Sequence, residues 1–311
     1  MKSLEEIKDI KRRARKEILN RPGVTGIGVG YREVKGEESD EPSIRVYVKK
    51  KRPDISKDES VPSEIDGVKT DIIEEDQEAI AYNNFGMARA EPSEGLLVGG
   101  AGIGPARTFG NNKPNSGTIG IVIGGQNEPM ILSSYHVLAV DNNYVNNPLI
   151  SQPAGTQNYV AVLGQAVLMG NVDAAIARVN GGSRQRVNSG ILDIGQVTGT
   201  ASRADVEQMW LSKNNIVRKR GNVTKLRQGR ITDIDWEGSI QYAYSPVHPF
   251  ENQIQISPLP GGPEFSLPGD SGSAIVDGSN RIIGLLVGGV GHKYSVANYI
   301  EDVQGYLGIN I

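Results

Sequence analysis

The clearest hydrophobic pattern in the chain lies close to its amino terminus. Apolar residues there recur at steps of three or four, which places them on one face of a helix: Leu4, Ile7, Ile10, Ala14 and Ile18. Ser3 and Glu6 have the spacing of a capping box, in which each side chain binds the other residue's backbone N–H. The segment Arg21-Pro22-Gly23 does not continue a helix. We predict an amphipathic helix over residues 3–20.

Three strand-like patterns follow the helix. In residues 43–49 apolar side chains alternate with polar ones, and residues 68–73 alternate in the same way. Residues 24–31 also read as a strand, with glycine at every second position from 26 to 30. The dinucleotide-binding pattern needs a different glycine spacing, so these glycines favour a strand against which another element packs closely. One helix and about three strands predict a small α+β unit.

The composition of the chain changes near residue 90. Residues 1–90 contain 37 of the 69 Lys, Arg, Asp and Glu residues but only 7 of the 39 glycines. Residues 91–311 carry many short apolar runs that end in turn residues, and this pattern predicts an all-β domain. We therefore expect a small α+β domain at 1–90 and a mainly β domain at 91–311.

The whole chain has 311 residues, a net charge of −3 and no cysteine. This charge creates no field that favours nucleic acid or an anionic membrane, so neither is an expected partner. Without cysteine, a disulfide, a thiolate metal ligand and a thiol nucleophile are all excluded. The charged start of the chain has no apolar signal-peptide core, and no apolar run approaches the length of a membrane span. We expect a cytoplasmic protein with no cofactor and no metal.

One short turn carries the strongest chemical signal. Gly269-Asp270-Ser271-Gly272 leads directly into an apolar strand. Such a turn can present the serine hydroxyl, while its backbone N–H groups converge on a point beside that hydroxyl. Gly, Asp and Ser are also common in ordinary hairpin turns. The turn therefore has catalytic meaning only if the chain also supplies a histidine and an aspartate.

A histidine and an aspartate in suitable surroundings precede this turn. His136 comes just after an apolar strand, whereas His248 lies between prolines and His292 lies in a glycine-rich turn. Asp173 heads a strand of small apolar residues, where a buried carboxylate needs a polar partner. A histidine N–H is such a partner, although an isolated histidine at this place is often structural. The order along the chain is His136, Asp173, Ser271.

This order and the surrounding segments resemble the chymotrypsin/trypsin-like serine peptidases. The matching segments are Leu-Ser-x-x-His-Val at His136, Val-Asp-Ala-Ala-Ile-Ala at Asp173 and Gly-Asp-Ser-Gly at Ser271. The resemblance covers residues 110–311 and implies a double β-barrel with the three residues in the cleft between the barrels. The barrels would occupy residues 115–200 and 201–311.

The resemblance also implies a role for each residue. His136 would take the proton of Ser271 as general base, and Asp173 would orient the imidazole. The backbone N–H groups of Gly269 and Ser271 would bind the oxyanion. Asp270 would hold the serine turn in shape.

The position of the substrate pocket follows from the same resemblance. The base of the primary pocket and its wall would be formed by Phe265, Ser266, Val287, Gly288 and Gly289. No acidic residue falls at these positions, so a preference for Lys or Arg is not expected. We expect the pocket to take an apolar or small side chain.

Residues 219–231 resemble a block that marks the plant narrow-leaf protein and its cysteine-poor bacterial relatives. The positions that fit are Gly221, Thr224, Leu226, Gly229 and Ile231. Lys225 stands where that block has its middle glycine. The basic residues here suggest a nucleic-acid stripe, but Asp233, Asp235 and Glu237 follow directly, so we favour a solvated strand pair.

The leading hypothesis is a serine endopeptidase with protein or peptide substrates, acting through the triad and an acyl-enzyme intermediate. The alternative is a regulatory or interaction protein that keeps the protease fold and has restricted or autoprocessing-only activity. For residues 1–90, removal as a pro-region, regulation of the cleft and oligomerisation, including a homo-oligomer, all remain open. The expected fold class is mainly β: a double β-barrel trypsin-like protease domain preceded by a small α+β N-terminal domain.

Overall fold

The amino-terminal helix lies where the apolar spacing predicts it. The computed structural model describes residues 2–34, 37–52, 56, 59–86, 95–124 and 128–311, so the predicted domain boundary at residue 90 lies outside these ranges. Helix α1 (Leu4–Leu19) begins after Ser3, and both hydrogen bonds of the predicted capping box with Glu6 are present. Its apolar face is buried at Ile7, Ile10 and Ile18.

Six strands follow the helix in residues 24–86. They are β1 (Val24–Val34), β2 (Glu37–Val48), β3 (Glu64–Ile65), β4 (Val68–Glu74), β5 (Ala79–Ala81) and β6 (Asn84–Phe85). β1 and β2 are antiparallel, and β4 runs parallel to β2. The glycines of β1 face other parts of the protein at close range, since a Cβ atom on Gly28 would lie 1.8 Å from the Asp233 carboxylate. Close packing explains the alternating glycines, as predicted.

Short strands and three further helices make up the described residues from 95 onward. The strands are β7 (Leu97–Gly99), β8 (Gly102–Pro105), β9 (Thr108–Phe109), β10 (Lys113–Thr118), β11 (Ile121–Ile123), β12 (Met130–Ser133), β13 (Leu149–Ser151), β14 (Tyr159–Met169), β15 (Val172–Val179), β16 (Val187–Ile191), β17 (Gly199–Thr200), β18 (Ile216–Gly221), β19 (Lys225–Gln241), β20 (His248–Pro258), β21 (Ala274–Val276), β22 (Arg281–Val290) and β23 (Tyr294–Tyr299). The helices are α2 (Tyr135–Leu138), α3 (Arg203–Leu211) and α4 (Ile300–Leu307). In the ranges given above, no helix has the length and apolar character that a membrane span requires.

Two large, mostly antiparallel sheets dominate the described residues, and the prediction of a mainly β fold is confirmed. The first sheet has the order β11-β12-β15-β14-β13-β8-β10-β6, with β9 beside β10. The second has the order β18-β21-β22-β23-β20-β19-β1-β2-β4-β3, with β17 beside β22. In the second sheet, β5 lies against both β19 and β22. This last position brings residues 79–81 beside β22, at Gly288 and Gly289.

The amino-terminal elements are built into the second sheet. β1 pairs with β19, so the sheet continues from residues 225–241 into the first 48 residues of the chain. Helix α1 belongs to the same hydrophobic core as β19, β20 and β22. Tyr31 of β1 stacks on Trp210 of α3, with the ring centroids 4.2 Å apart. Because apolar burial is the main favourable contribution to folding, the two parts of the chain stabilise each other.

The expectation of a solvated strand pair at β18 and β19 is wrong. Lys219 and Asp233 are fully buried, and Arg220 is 6% exposed. The physical reason is that other elements cover both strands: β18 pairs with β21 and contacts the serine turn through Lys219, and β19 lies between β20 and β1. Buried charges need partners. The charged side chains of these strands have such partners within the protein. In β19, for example, the Asp235 carboxylate lies 3.1 Å from Nζ of Lys11 in helix α1.

Candidate active site

His136 lies in the short helix α2, directly after β12, where two serine hydroxyls hold the chain. Ser133 Oγ donates to the Thr118 carbonyl at 2.7 Å. Ser134 Oγ donates to the Leu286 carbonyl at 3.0 Å. Because Leu286 belongs to β22, the second bond ties the histidine loop of the first sheet to the second sheet. His136 is therefore placed at the junction of the two sheets.

Asp173 lies in β15, which is paired with β12, and its carboxylate is fully buried. It accepts hydrogen bonds from His136 Nδ1 at 2.6 Å, from the His136 backbone N–H at 3.2 Å and from the Tyr242 hydroxyl at 2.7 Å. The first of these bonds fixes the ring orientation and favours the tautomer with its proton on Nδ1. The structure thus brings together the predicted histidine and aspartate, with Nε2 as the nitrogen available to accept a proton.

Tyr242 is a residue of this site that the sequence analysis missed. Its ring lies 5.7 Å from the His136 ring, and its hydroxyl donates to Asp173. Burial, and then the charge of Asp173, raise the pKa of Tyr242 well above its ordinary value. The hydroxyl therefore keeps its proton and remains a donor. The sequence offers little to single out Tyr242: it is a tyrosine directly after the long strand β19.

The third predicted residue, Ser271, is close to the histidine loop but does not bond to the imidazole. Thr118 links the serine turn to the residues just before His136. Its N–H donates to the Ser271 carbonyl at 2.8 Å, and its carbonyl accepts a hydrogen bond from the Ser133 hydroxyl. The Ser271 hydroxyl donates to the Val287 carbonyl at 2.7 Å. His136 Nε2 is buried and, among the described residues, has no hydrogen-bond partner. A change of Ser271 to another staggered rotamer would redirect its hydroxyl.

The serine turn is held by a buried ion pair. Asp270 accepts from Lys219 Nζ at 2.9 Å and from the backbone N–H groups of Leu267 and Thr224 at 3.0 Å each. Burial raises the pKa of Asp270, but Lys219 and Thr224 outweigh this effect and hold the pKa below its ordinary value. Burial lowers the pKa of Lys219 to about 8, against the attraction of Asp270. Asp270 thus has contacts of the structural kind that the resemblance implies.

Gly269 presents its backbone N–H to the cleft. Its φ of +102° lies in a region that only glycine adopts without strain. The Thr118 hydroxyl donates to the Gly269 carbonyl at 2.9 Å and so fixes the peptide on one side.

Lys225, which stands in place of a glycine in the resembling block, has a φ of +62°. This is the left-handed conformation that favours glycine. Its Nζ donates to the Asn222 carbonyl at 2.7 Å. The turn between β18 and β19 therefore has, at Lys225, a backbone conformation that is typical of glycine.

The cleft beside Ser271 is filled by residues 79–84 of the protein itself. β5 runs antiparallel to β22, with Ala81 opposite Gly288 and Ile80 opposite Gly289. A Cβ atom on Gly288 would lie 2.0 Å from the Ile80 carbonyl oxygen. A glycine at position 288 is therefore required for this close approach.

The backbone of Tyr82 continues this pairing up to the serine turn. The Tyr82 N–H donates to the Val287 carbonyl at 3.4 Å. The Tyr82 carbonyl accepts the N–H of Gly269 at 3.0 Å. Gly269 is one of the two predicted oxyanion donors, and its N–H is thus already bound to a peptide carbonyl of the same chain.

The side chain of Tyr82 fills a pocket in the second sheet and is 2% exposed. Its hydroxyl donates to the Gly291 carbonyl at 3.2 Å, and a Cβ atom on Gly289 would lie 2.7 Å from the hydroxyl oxygen. Burial raises the pKa of Tyr82, and a hydrogen bond with Ser266 opposes this. Of the predicted pocket residues, Ser266 and Gly289 lie beside the Tyr82 side chain, whereas Gly288 lies against the backbone of Ile80 and Ala81. Phe265 lies in the hydrophobic core of the second sheet.

The residues after Tyr82 contact the first sheet. Asn83 Nδ2 donates to the His136 carbonyl at 2.9 Å. β6 pairs with β10, with Asn84 opposite Ser116, and Asn84 Nδ2 donates to Ser116 Oγ at 3.3 Å. The segment thus crosses from the second sheet to the first, directly between the serine turn and the histidine loop.

The assembled site contains a carboxylate-paired histidine, a neighbouring serine and a backbone donor aimed at a peptide carbonyl. This set of groups suits nucleophilic acyl transfer, in which a base activates the serine and backbone N–H groups stabilise the oxyanion. Within the part of the chain that the structure describes, no group of three or more His, Asp or Glu side chains is placed to hold a metal ion.

The chain is similar to solved structures of serine proteases at low sequence identity. A glutamic acid specific serine protease with a histidine triad in substrate binding matches 69% of this chain over 100% of its own, with 18% identity and a TM-score of 0.49. Thermobifida fusca protease A and Cellulomonas bogoriensis chymotrypsin each match 69% of this chain over 97% of their own, with 16% and 19% identity and TM-scores of 0.46 and 0.45. No protein-family model matches the chain, and no curated protein is similar to it.

Proposed function

We propose that this protein is a serine endopeptidase that hydrolyses peptide bonds through Ser271, His136 and Asp173. One observation carries the proposal: the His136–Asp173 pair, at 2.6 Å, leaves the buried Nε2 with no hydrogen-bond partner among the residues that the structure describes. An unsatisfied buried nitrogen is costly. A serine hydroxyl donating to Nε2 supplies the missing partner and is also the arrangement that activates the nucleophile.

The reaction would proceed in two steps. Ser271 Oγ attacks the peptide carbonyl while His136 Nε2 takes its proton, and the Gly269 N–H stabilises the oxyanion. His136 then gives the proton to the leaving amine, which leaves an ester on Ser271. Water hydrolyses this ester in the second step, with His136 again as base. Asp173 and Tyr242 hold the imidazole and its developing charge in place.

The edge of β22 supports a protein or peptide as the substrate. Gly288 and Gly289 leave room for an extended backbone, and β5 already pairs with this edge. Recognition of this kind uses main-chain hydrogen bonds for affinity and a side-chain pocket for selectivity.

A second function, restricted or autoprocessing-only activity, is favoured by a separate observation. Residues 79–84 fill the cleft and place the Tyr82 carbonyl on Gly269. A substrate in trans must displace this segment. The protein would then act on few external substrates until the segment moves.

Covalent labelling tests the proposed function. A phosphonate probe with an aromatic side chain should label the full chain slowly and Tyr82→Ala faster, because the variant empties the pocket. Labelling should disappear in Ser271→Ala, and His136→Ala should slow it roughly a thousandfold. Ser279→Ala, an exposed serine, is the matched control and should label as the parent does. A folded Tyr82→Ala protein that is never labelled would contradict the proposal.

A further inference from the structure

We propose that residues 79–85 are bound as a substrate of the same chain, and that Ser271 cleaves the Tyr82–Asn83 bond intramolecularly to give two associated fragments. The inference rests on the proposed function, and it adds a defined substrate, a defined bond and a product state. It is drawn from the contacts of the segment on both sides of that bond.

The residues before the bond are bound in the direction and register of an extended substrate. Ile80 and Ala81 pair antiparallel with Gly289 and Gly288, and the Tyr82 ring is enclosed in the pocket. Main-chain pairing together with one buried aromatic side chain is enough to fix which carbonyl reaches the serine turn. That carbonyl belongs to Tyr82.

The bond itself lies between the reacting groups. The Tyr82 carbonyl oxygen accepts the Gly269 N–H at 3.0 Å, and the next residue, Asn83, bonds to the carbonyl of His136. The carbon that Ser271 would attack therefore belongs to the Tyr82–Asn83 peptide. The leaving amine is the backbone nitrogen of Asn83, whose N–H donates to the Ala81 carbonyl at 2.9 Å, and His136 must deliver a second proton to it.

Cleavage needs one rotation and one water molecule. Ser271 Oγ leaves the Val287 carbonyl, gives its proton to His136 Nε2 and forms a bond to the Tyr82 carbonyl carbon. The C–N bond to Asn83 breaks, and His136 returns the proton to the departing nitrogen. Water then attacks the Tyr82 ester and gives one proton to His136, which passes it to Ser271 Oγ. The products are a Tyr82 carboxylate and an Asn83 amine.

The two fragments would remain in one particle. The first fragment contains α1 and β1, which share the core and the sheet of the second fragment through β19. Its last strand, β5, lies between β19 and β22. Separation would expose this buried apolar surface to water, which is unfavourable.

The full-length protein, purified intact and held at neutral pH, provides the experiment. Intact mass measurement and a denaturing gel should show conversion into fragments 1–82 and 83–311, with the second beginning Asn-Asn-Phe-Gly. The first-order rate should not depend on protein concentration, because the reaction is intramolecular. Size-exclusion chromatography without denaturant should show an unchanged particle. Ser271→Ala should remain intact.

Variants of Tyr82 test the register of the segment. Tyr82→Ala should slow cleavage at least about tenfold, since the pocket loses its aromatic occupant. Tyr82→Phe keeps the ring and should be cleaved at nearly the parent rate, which separates recognition from simple destabilisation. Tyr159→Ala, at a tyrosine that is 45% exposed, is the control and should behave as the parent. Thermal unfolding of each variant verifies that it is folded.

The outcomes separate this inference from the proposed function. An intact chain whose Ser271 is labelled by the phosphonate in Tyr82→Ala overturns the inference and leaves the peptidase proposal standing. An intact chain in which Ser271 is never labelled overturns both. Fragmentation that persists in Ser271→Ala, that occurs at another bond or whose rate rises with protein concentration also overturns the inference.

Discussion

Tyr242 extends the candidate site beyond the three residues that the sequence indicates. Asp173 is buried and accepts three hydrogen bonds, two from His136 and one from Tyr242. A buried carboxylate remains charged only if donors replace its lost hydration. The tyrosine hydroxyl therefore stabilises the charge on which the orientation of the imidazole depends.

We predict that Tyr242→Phe slows phosphonate labelling of Ser271 about tenfold, because a hydrogen bond to a charged group contributes roughly 1.5–3 kcal/mol. The measurement is the second-order labelling rate in the Tyr82→Ala background. Tyr159→Phe is the control and should leave the rate unchanged. Equal rates in the two variants would mean that the Tyr242 bond has no part in positioning His136.

At the residue scale, the sequence predicts groups that lie in short characteristic segments. His136 and Asp173 follow or begin apolar strands, and their residue types suggest the pairing that the structure contains. Tyr242 and Tyr82 have no such signal, because their contacts depend on segments far apart in sequence. Tyr82, for example, meets Gly269 only because β5 is carried to β22 by the tertiary fold.

At the scale of elements, the β18–β19 hairpin supports the serine turn. Lys219 of β18 reaches Asp270, and Thr224 of the hairpin turn donates to the same carboxylate through its N–H and its hydroxyl. Both charges of the pair are fully buried. Removing one partner of such a pair leaves an uncompensated buried charge. The hairpin is therefore a support of the turn that carries Ser271.

We predict that Lys219→Met destabilises the protein by about 3–5 kcal/mol. Urea unfolding at neutral pH measures this change. Lys49→Met is the matched control, because Lys49 is 65% exposed and its ion pair with Glu78 lies at the surface. Its loss should cost about 1 kcal/mol or less. Similar values for the two variants would rule out the buried pair as the main support of the turn.

The same elements mark the limit of prediction from pattern. The glycine spacing of β1 correctly predicts close packing, because a missing side chain has a direct steric meaning. The charges of β18 and β19 suggest a solvated surface, and this is wrong because the serine turn covers Lys219 and β1 pairs with β19 at Asp233. Charge alone does not reveal that a distant segment supplies the partners of Lys219 and Asp233.

At the scale of the whole molecule, buried polar contacts join the amino-terminal part to the second sheet. Tyr294 of β23 donates its hydroxyl to Glu75, which is 5% exposed. Tyr47 of β2 donates to Asp233 of β19 at 2.8 Å. Burial raises the pKa of Glu75 to about 7 and that of Asp233 to about 6.

These shifts make stability depend on pH in a defined direction. Between the ordinary pKa of Glu75, 4.5, and its folded value of about 7, the folded state binds more protons than the unfolded state. The free energy of unfolding therefore falls as the pH rises through this window. Asp233 acts in the same direction.

We predict that Glu75→Gln is more stable than the parent at pH 8, by up to about 3 kcal/mol, and nearly equal to it at pH 5. Urea midpoints at the two pH values measure the difference. Glu78→Gln, at a carboxylate that is 58% exposed, should show no such dependence. A difference between Glu75→Gln and the parent that stays constant with pH would contradict the assignment.

The place of β5 between β19 and β22 has a consequence for synthesis on the ribosome. Tyr82 is translated long before Gly289, and at roughly 5–20 residues per second the interval is on the order of 10 to 40 s. The first 82 residues must wait through that interval for the strands that complete their sheet. When β22 finally emerges, the segment that fills its edge is already present on the same chain. The segment that fills the cleft is therefore present on the same chain whenever the cleft is completed.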